Sequence, residues 1–189
     1  MPPKVKITKQ DIIEVALELV RRDGEISLNS RNIANALGCS TQPIFSNFSS
    51  MEELENEVKI SAHKRYLGFI EKEVESGKYP TYKAFGMAYV RFAREEKELF
   101  KLLFMYDRTG KATVPTLDYT SSVEMIMKAN GITREEAEFF HLEMWTFVHG
   151  IGTMRATSFL VLDDELVSLM ITNVYQGLRA RLGAKNDSN

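Results

Sequence analysis

The chain has a single cysteine, Cys39, among its 189 residues. One thiol cannot form an internal disulfide bond or supply a thiolate-rich metal site, so a disulfide-stabilised fold and a zinc-finger fold are both excluded. We interpret Cys39 as a small buried apolar residue, with a redox-sensing role as the alternative. Since 44% of the residues are hydrophobic, we expect the chain to fold around an apolar core without such links.

Long hydrophobic runs are also missing. The longest apolar stretches, such as residues 147–151 and 159–162, are much shorter than the roughly 18–20 residues of a membrane-spanning helix. The first residues contain three lysines but no apolar segment after them, which is unlike a secretory signal. We therefore expect no membrane partner and a cytoplasmic location.

The sequence lacks the excess of positive charge that is common in nucleic-acid-binding proteins. Its 24 Lys and Arg residues face 26 Asp and Glu residues, for a net charge of -2. The distribution is nevertheless uneven, because Lys4, Lys6 and Lys9 precede the first acidic residue and residues 38–51 contain no charged side chain. This pattern predicts a basic arm beside a neutral surface.

Motifs for catalysis are absent as well. The histidines His63, His141 and His149 do not form the HExxH spacing, and neither a P-loop nor a GxSxG motif occurs. One Glu-x-x-His motif is present, Glu138 to His141, whereas a di-metal site in a helical bundle needs two. We therefore expect neither enzyme activity nor a bound metal or other cofactor.

What the sequence has is helical periodicity along its whole length. Apolar residues recur at helical spacing, and capping residues, glycines and prolines mark the ends. No alternating strand pattern occurs, so the predicted fold class is all-α. Pro43 suits the first turn of the third helix. A loop is predicted at 107–113 and a frayed tail at 183–189. The predicted helices lie at about 9–22, 29–37, 41–48, 50–75, 82–93, 96–106 and 115–129. Two further helices are predicted, one that begins at 133 and a last one that ends at about 182.

The second and third helices are separated in this prediction by a turn of three residues, Gly38 to Ser40, which is typical of a helix-turn-helix. The motifs at residues 12–54 are Ile33-Ala34, Gly38-Cys39-Ser40, Ile44-Phe45, Phe48 and Met51-Glu52-Glu53-Leu54. In register and spacing they resemble the DNA-binding region of the TetR family. The resemblance implies an N-terminal three-helix helix-turn-helix domain at 1–55 and a helical-bundle domain for ligand binding and dimerisation at 56–189.

Two positions depart from the family pattern. Phe45 replaces a tyrosine whose hydroxyl commonly reaches a phosphate, and Met51 replaces a lysine. Because two usual phosphate contacts are missing, we expect DNA affinity to depend only weakly on salt.

The residues predicted to read bases are Thr41, Gln42 and Pro43, at the exposed start of the third helix. A glutamine can bond adenine N6 and N7, while the threonine methyl and the proline ring suit thymine methyls. The alternative is that they are solvated cap residues of a structural helix. Other predicted DNA contacts, mostly to phosphates, are Lys4, Lys6, Lys9, Arg31, Ser40, Phe45, Ser46, Asn47 and Ser50.

A second local resemblance lies in Trp145-x-x-x-His149-Gly150, which is similar to the Trp-His-Gly signature of one C-terminal subgroup of the family. The two rings are one helical turn apart and face the same space. The histidine is either a hydrogen-bonded core residue or a ligand contact. Many Met and Phe residues suit an adaptable apolar pocket, and the predicted ligand-binding residues are Phe92, Phe104, Met105, Tyr119, Met125, Met144, Trp145 and His149.

Gly150 and Gly152 lower helix stability, which indicates that another backbone approaches there. By resemblance, this helix and the last one form a four-helix bundle in a homodimer. The implied function is that of a ligand-responsive transcriptional regulator, a repressor released from palindromic double-stranded operator DNA by a small apolar or aromatic effector. The alternative is a small-molecule-binding protein of the same fold with weak or lost DNA binding.

Overall fold

The computed structural model describes residues 7–106 and 119–186, and within these ranges the regular elements are all helical. The predicted all-α fold is therefore confirmed. None of the helices described is both long enough and apolar enough to cross a bilayer. The helices are α1 (Lys9–Asp23), α2 (Ser30–Ala36), α3 (Gln42–Asn47), α4 (Met51–Glu75), α5 (Thr81–Glu95), α6 (Lys97–Phe104), α7 (Thr120–Asn130), α8 (Arg134–Ala156) and α9 (Asp164–Asn186).

Most helix starts follow the capping residues of the sequence. Thr8 and Asp11 form a capping box at α1, and Thr133 forms one at α8. Asn29 caps α2 by accepting a hydrogen bond from the backbone N–H of Asn32. These local bonds explain why the predicted and observed starts of α1, α2 and α8 agree closely.

The turn between α2 and α3 is longer than predicted, because it runs from Leu37 to Thr41. Gly38 has a left-handed φ of 65°, and the N–H groups of Gly38 and Cys39 bond the carbonyls of Asn35 and Ala34. This is a Schellman ending, which favours glycine at this position. Cys39 itself is half-buried, not buried as we had expected.

Differences also occur further along the chain. The helix α9 is longer than the predicted one, because it continues from the predicted end at 182 to Asn186, and the predicted frayed tail at 183–189 stays a prediction. The helix α7 begins at Thr120, whereas the predicted start at 115 and the predicted loop at 107–113 lie outside the described residues.

The first compact unit contains, among the described residues, 7–67 and 96–106. It therefore includes α1 to α3, most of α4, and α6. The boundary that we predicted at residue 55 separates a DNA-binding domain from a domain for ligand binding and dimerisation, and it stays a prediction. The side chains fully removed from solvent in this unit include Ile12, Val20, Ile33, Ile44, Leu54, Val58, Leu99 and Phe100.

A buried ionic cluster in this unit is centred on Glu96, in the break between α5 and α6. Its side chain is 6% exposed. The carboxylate accepts hydrogen bonds from Arg21 Nε and Nη2 at 2.8 and 2.9 Å and from Arg65 Nε at 2.7 Å. Arg21 belongs to α1 and Arg65 to α4, so one carboxylate links both helices to the start of α6.

The second unit contains, among the described residues, 68–95 and 119–186. Its contacts are mainly those of α8 with α5, α7 and α9. At the end of α8, the buried guanidinium of Arg155 bonds Asp164 and the carbonyl of Leu162, which ties α8 to the start of α9. The buried core side chains include Ala88, Val90, Phe92, Ile126, Phe140, Met144, Val167 and Ile171.

We expect Glu96→Ala to lower the free energy of unfolding by about 2 kcal/mol, because it leaves two guanidinium groups without their carboxylate. The loss should be smaller than for a fully buried pair, since Arg21 and Arg65 are 28% and 40% exposed. Urea unfolding at neutral pH measures it. The control is Glu18→Ala, which removes an exposed partner of Arg21 and should cost less than about 1 kcal/mol. Equal losses in the two variants would contradict the assignment.

Candidate nucleic-acid interface and ligand site

The helix α3 is positioned by its buried side. Ile44 is fully buried, and Phe48, which ends the helix, is 2% exposed. Both lie on the side of α3 that faces the core of the first unit, where α3 contacts α1. The opposite side is consequently open to solvent, and Gln42, Phe45 and Ser46 are exposed there. Pro43 occupies the first turn, as predicted.

The polar side chains of α3 differ in how free they are to bind DNA. Ser46 Oγ donates to the carbonyl of Gln42 at 2.9 Å, and Asn47 Nδ2 donates to the carbonyl of Pro43 at 2.8 Å. The one hydroxyl hydrogen of Ser46 is therefore used within the helix, whereas Asn47 Nδ2 keeps a second N–H that can donate to a phosphate. Among the residues described, the carboxamide of Gln42 has no hydrogen-bond partner, which leaves all of it for a base.

The remaining predicted contacts surround these residues. Ser40 is exposed, and Thr41 and Pro43 are half-buried. The hydroxyl of Ser50 accepts from the backbone N–H of Glu53 at 3.2 Å. The carboxylate of Glu53 turns instead to the N–H and hydroxyl of Ser49, both at 2.8 Å, so the usual capping box is half formed.

The predicted cations fall into three cases. Lys9 Nζ lies 2.9 Å from Glu57 and 3.2 Å from Glu53, and 5.0 Å from the ring centroid of Phe48. Lys9 therefore holds α1 against α4, a different role from the phosphate contact that we predicted. Arg31, on α2, is exposed and forms no ion pair with any described residue. Lys4 and Lys6 lie outside the described residues.

The pKa values of Lys9 and Glu53 are shifted by the hydrogen bonds of these side chains. Hydrogen bonds to Glu57 and Glu53 raise the pKa of Lys9 above its ordinary value. The backbone N–H and hydroxyl of Ser49, with Lys9, lower the pKa of Glu53 to about 2. The contribution of Glu53 to stability is therefore present above its unfolded pKa and lost as the pH falls through the folded value.

In the second unit, the rings of Trp145 and His149 stack with centroids 4.9 Å apart and planes 14° apart. His149 Nδ1 lies 2.8 Å from the hydroxyl oxygen of Tyr89 on α5, and Tyr89 is buried. Trp145 remains 37% exposed. His149 thus has the hydrogen-bond partner that is expected of a core residue, whereas Trp145 has the exposed ring that is expected of a ligand contact. The sequence prediction missed Tyr89, because no local pattern connects it with α8.

The other predicted ligand residues do not form one cluster in the second unit. Phe92 and Met144 belong to its buried core, and Met125 is half-buried on α7. Phe104 and Met105 end α6 in the first unit, where the Phe104 ring packs against Tyr66 and Phe100 with centroids 5.4 and 5.1 Å away.

Tyr119 belongs to a second ring cluster that the sequence did not predict. It stacks on His141 with centroids 5.7 Å apart, and the hydroxyl oxygen of Tyr82 lies 3.0 Å from His141 Nδ1. Burial lowers the pKa of His141 below its ordinary value, which favours the neutral ring at neutral pH. No group of three or more metal-ligand side chains occurs in the described parts of the chain.

The outer faces of α8 and α9 carry exposed apolar side chains. Within the described residues, a Cβ built on Gly150 would meet no atom within 4 Å, so packing inside this chain does not require a glycine there. Gly152, in contrast, is buried. The exposed large apolar residues of these helices are Phe139, Leu142, Trp145 and Met154 on α8 and Leu166 and Leu169 on α9.

The chain is similar to several known proteins. Residues 82–174, which include Trp145, His149 and Gly150, match the family model described as the tetracyclin repressor-like, C-terminal domain. The chain is 23% identical over 180 residues to an uncharacterized HTH-type transcriptional regulator of Mycobacterium tuberculosis, a match that covers 93% of this chain and 81% of that protein. A crystal structure of a TetR variant from Acinetobacter baumannii AYE in complex with minocycline matches with 19% identity and a TM-score of 0.45, over 96% of this chain and 94% of that one.

We expect Arg31→Met and Lys9→Met to act differently on DNA binding. Loss of one phosphate contact should reduce the slope of log K against log salt by about 0.9 per contact in Arg31→Met. Lys9→Met should leave that slope unchanged and lower the unfolding temperature, because it removes the partner of two carboxylates. Anisotropy titrations with duplex DNA between about 50 and 200 mM salt measure the slope. An equal reduction of the slope in Lys9→Met would show that its charge is available to phosphates.

Proposed function

Because the chain belongs to the TetR family of transcriptional regulators, we propose that it binds operator DNA through α3 and releases it when a small apolar or aromatic molecule binds. The observation that carries the proposal is the outward, uncharged face of α3, where Gln42 has no partner among the described residues. The output that we propose is repression, which is the commoner output in the family.

In the proposed complex, the start of α3 enters the major groove. The carboxamide of Gln42 bonds adenine N6 and N7, and Thr41 and Pro43 contact neighbouring base edges. Arg31, Ser40 and the arm with Lys4 and Lys6 contact phosphates, which set the register without reading sequence. Ser46 donates to a phosphate only after leaving its bond to the carbonyl of Gln42, whereas Asn47 has a second N–H for such a contact.

The proposed regulator is a homodimer in which α8 and α9 of two copies pack together. Support comes from the exposed apolar residues of both helices, such as Leu142 and Leu169, and from the open space around Gly150. Such a dimer with two-fold symmetry carries two copies of α3. The operator is then an imperfect palindrome with two related half-sites.

The experiment that tests this function is selection of DNA fragments by the purified protein, followed by sequencing. We expect a consensus with two related half-sites. Gln42→Ala should relax the preference at one base pair per half-site by roughly 1–3 kcal/mol, because one bidentate contact is lost. If Gln42→Ala leaves the selected consensus unchanged, the base-reading assignment is wrong.

The second candidate function is that of a small-molecule-binding protein of the same fold with weak or lost DNA binding. Two observations favour it. Lys9 is paired with carboxylates and is less available for phosphates, and the net charge of the chain is -2. Failure of the purified protein to select any consensus, together with saturable binding of a small molecule, would favour this candidate.

We propose that the effector binds beside Trp145 and His149 and acts through α4. Trp145 offers an exposed ring, and Tyr89 holds His149 in place through its hydroxyl. Residues of α4 up to Leu67 belong to the first unit, and those from Gly68 belong to the second. One continuous helix is therefore shared by both units, which makes it the route that we propose for coupling between effector and α3.

We expect effector and operator to weaken each other's binding by the same factor, equivalent to about 1–3 kcal/mol per site. Trp145 is the only tryptophan in the sequence, so its fluorescence reports this site specifically. A panel of apolar aromatic compounds is titrated against that signal, with and without saturating operator. A compound that quenches Trp145 equally well in both titrations would show a real pocket without the proposed switch.

A further inference from the structure

We propose that Phe45 reads a thymine methyl group in the operator, within two base pairs of the pair contacted by Gln42. This inference rests on the proposed function. The Phe45 side chain is 54% exposed, whereas Ile44 before it is fully buried and Phe48 is 2% exposed. Phe45 therefore lies outside the core that holds α3, and its ring is exposed to solvent.

The chemistry of the ring determines what it can recognise. A phenylalanine side chain has no hydrogen-bond donor or acceptor, so Phe45 cannot bond a phosphate or a polar base edge. In the major groove, the apolar group that distinguishes one base from the others is the C5-methyl of thymine. An exposed aromatic ring on α3 is therefore selective for thymine through burial of that methyl group.

The surroundings of Phe45 favour this contact over a purely electrostatic one. Its exposed neighbours Gln42 and Ser46 are uncharged, and residues 38–51 contain no charged side chain. The segment that carries the ring thus supplies no cation of its own to draw a phosphate onto it. Approach of the groove instead removes about half of a phenyl ring from water, which is favourable in proportion to the area buried.

The distance from Gln42 defines where the thymine lies. Residues at i and i+3 of a helix have Cβ atoms about 5–6 Å apart, and successive bases of one strand rise by about 3.4 Å. A contact from Phe45 therefore falls one or two base pairs from the pair that Gln42 reads. The two assignments constrain each other, because each can be located independently in the consensus.

The test uses the selected operator with each thymine replaced in turn by deoxyuridine, which removes only the 5-methyl group. For the wild-type protein we expect each half-site to contain a position where the affinity falls about fourfold, the equivalent of one buried methyl-sized group, and where Phe45→Ala binds the thymine and uracil forms equally. Any thymine contacted by Thr41 or Pro43 should stay sensitive to the replacement in Phe45→Ala. The sensitive position should lie within two base pairs of the one relaxed by Gln42→Ala.

Ser46→Ala is the matched control, because loss of a phosphate contact should weaken binding of the thymine and uracil operators equally and leave the ratio of the two affinities unchanged. Thermal unfolding should give similar midpoints for Phe45→Ala and the wild type, since the ring lies outside the core. Wild-type protein that accepts uracil at every thymine overturns the proposal, and so does a Phe45→Ala variant that still distinguishes the two bases at every position where the wild type does. Absence of any selected consensus refutes instead the proposed function, and this inference with it.

Discussion

The carboxylate of Glu96 and the guanidinium groups of Arg21 and Arg65 form the interaction on which the first unit depends. Arg21 lies near the end of α1, and Lys9, at the other end of α1, is held by Glu53 and Glu57 of α4. The helix α1 is thus fixed at both ends by ionic contacts. Since α2 and α3 pack against α1, their orientation follows from these contacts and from the apolar core between them.

This arrangement matters because α3 is too short to be stable alone. A helix of six residues makes few backbone hydrogen bonds, and these do not offset the free-energy cost of forming the first turn. The geometry of α3 therefore depends on tertiary packing. Ile44 supplies that packing, and Gln42 and Phe45 on the other side lie outside the core. In the proposed complex with DNA, the neutral face also limits non-specific affinity, which arises mainly from phosphate contacts. Discrimination between sequences would then depend on base edges.

The parts that could be predicted from sequence are those that depend on near neighbours in the chain. Capping boxes at Thr8 and Thr133 join residues three positions apart, and the helices begin where these residues indicate. The longer turn after α2 was missed because a Schellman ending uses one more residue than the simple glycine stop. The pairs Arg21–Glu96 and Tyr89–His149 are separated by 75 and 60 residues, and no local pattern encodes them.

The same limitation explains the uneven result for the ligand residues. Composition identified aromatic and methionine side chains but not their burial, so core residues such as Phe92 were grouped with an exposed one, Trp145. Phe104 was assigned to the C-terminal region by its position in the chain, although α6 packs in the first unit. The place of Lys9 in a basic segment predicts a phosphate contact, because its carboxylate partners Glu53 and Glu57 lie far away in the sequence.

A physical argument for assembly comes from α8 itself, apart from the family resemblance. Its inner side buries Phe140, Met144 and Val148, while Phe139 and Leu142 are exposed on the outside. A helix that met only water on its outer side would be polar there, and a helix that is apolar on most sides is normally enclosed. The open space at Gly150 adds room for a second backbone. We therefore infer that the outer side of α8 is buried in the functional molecule, as the proposed dimer requires.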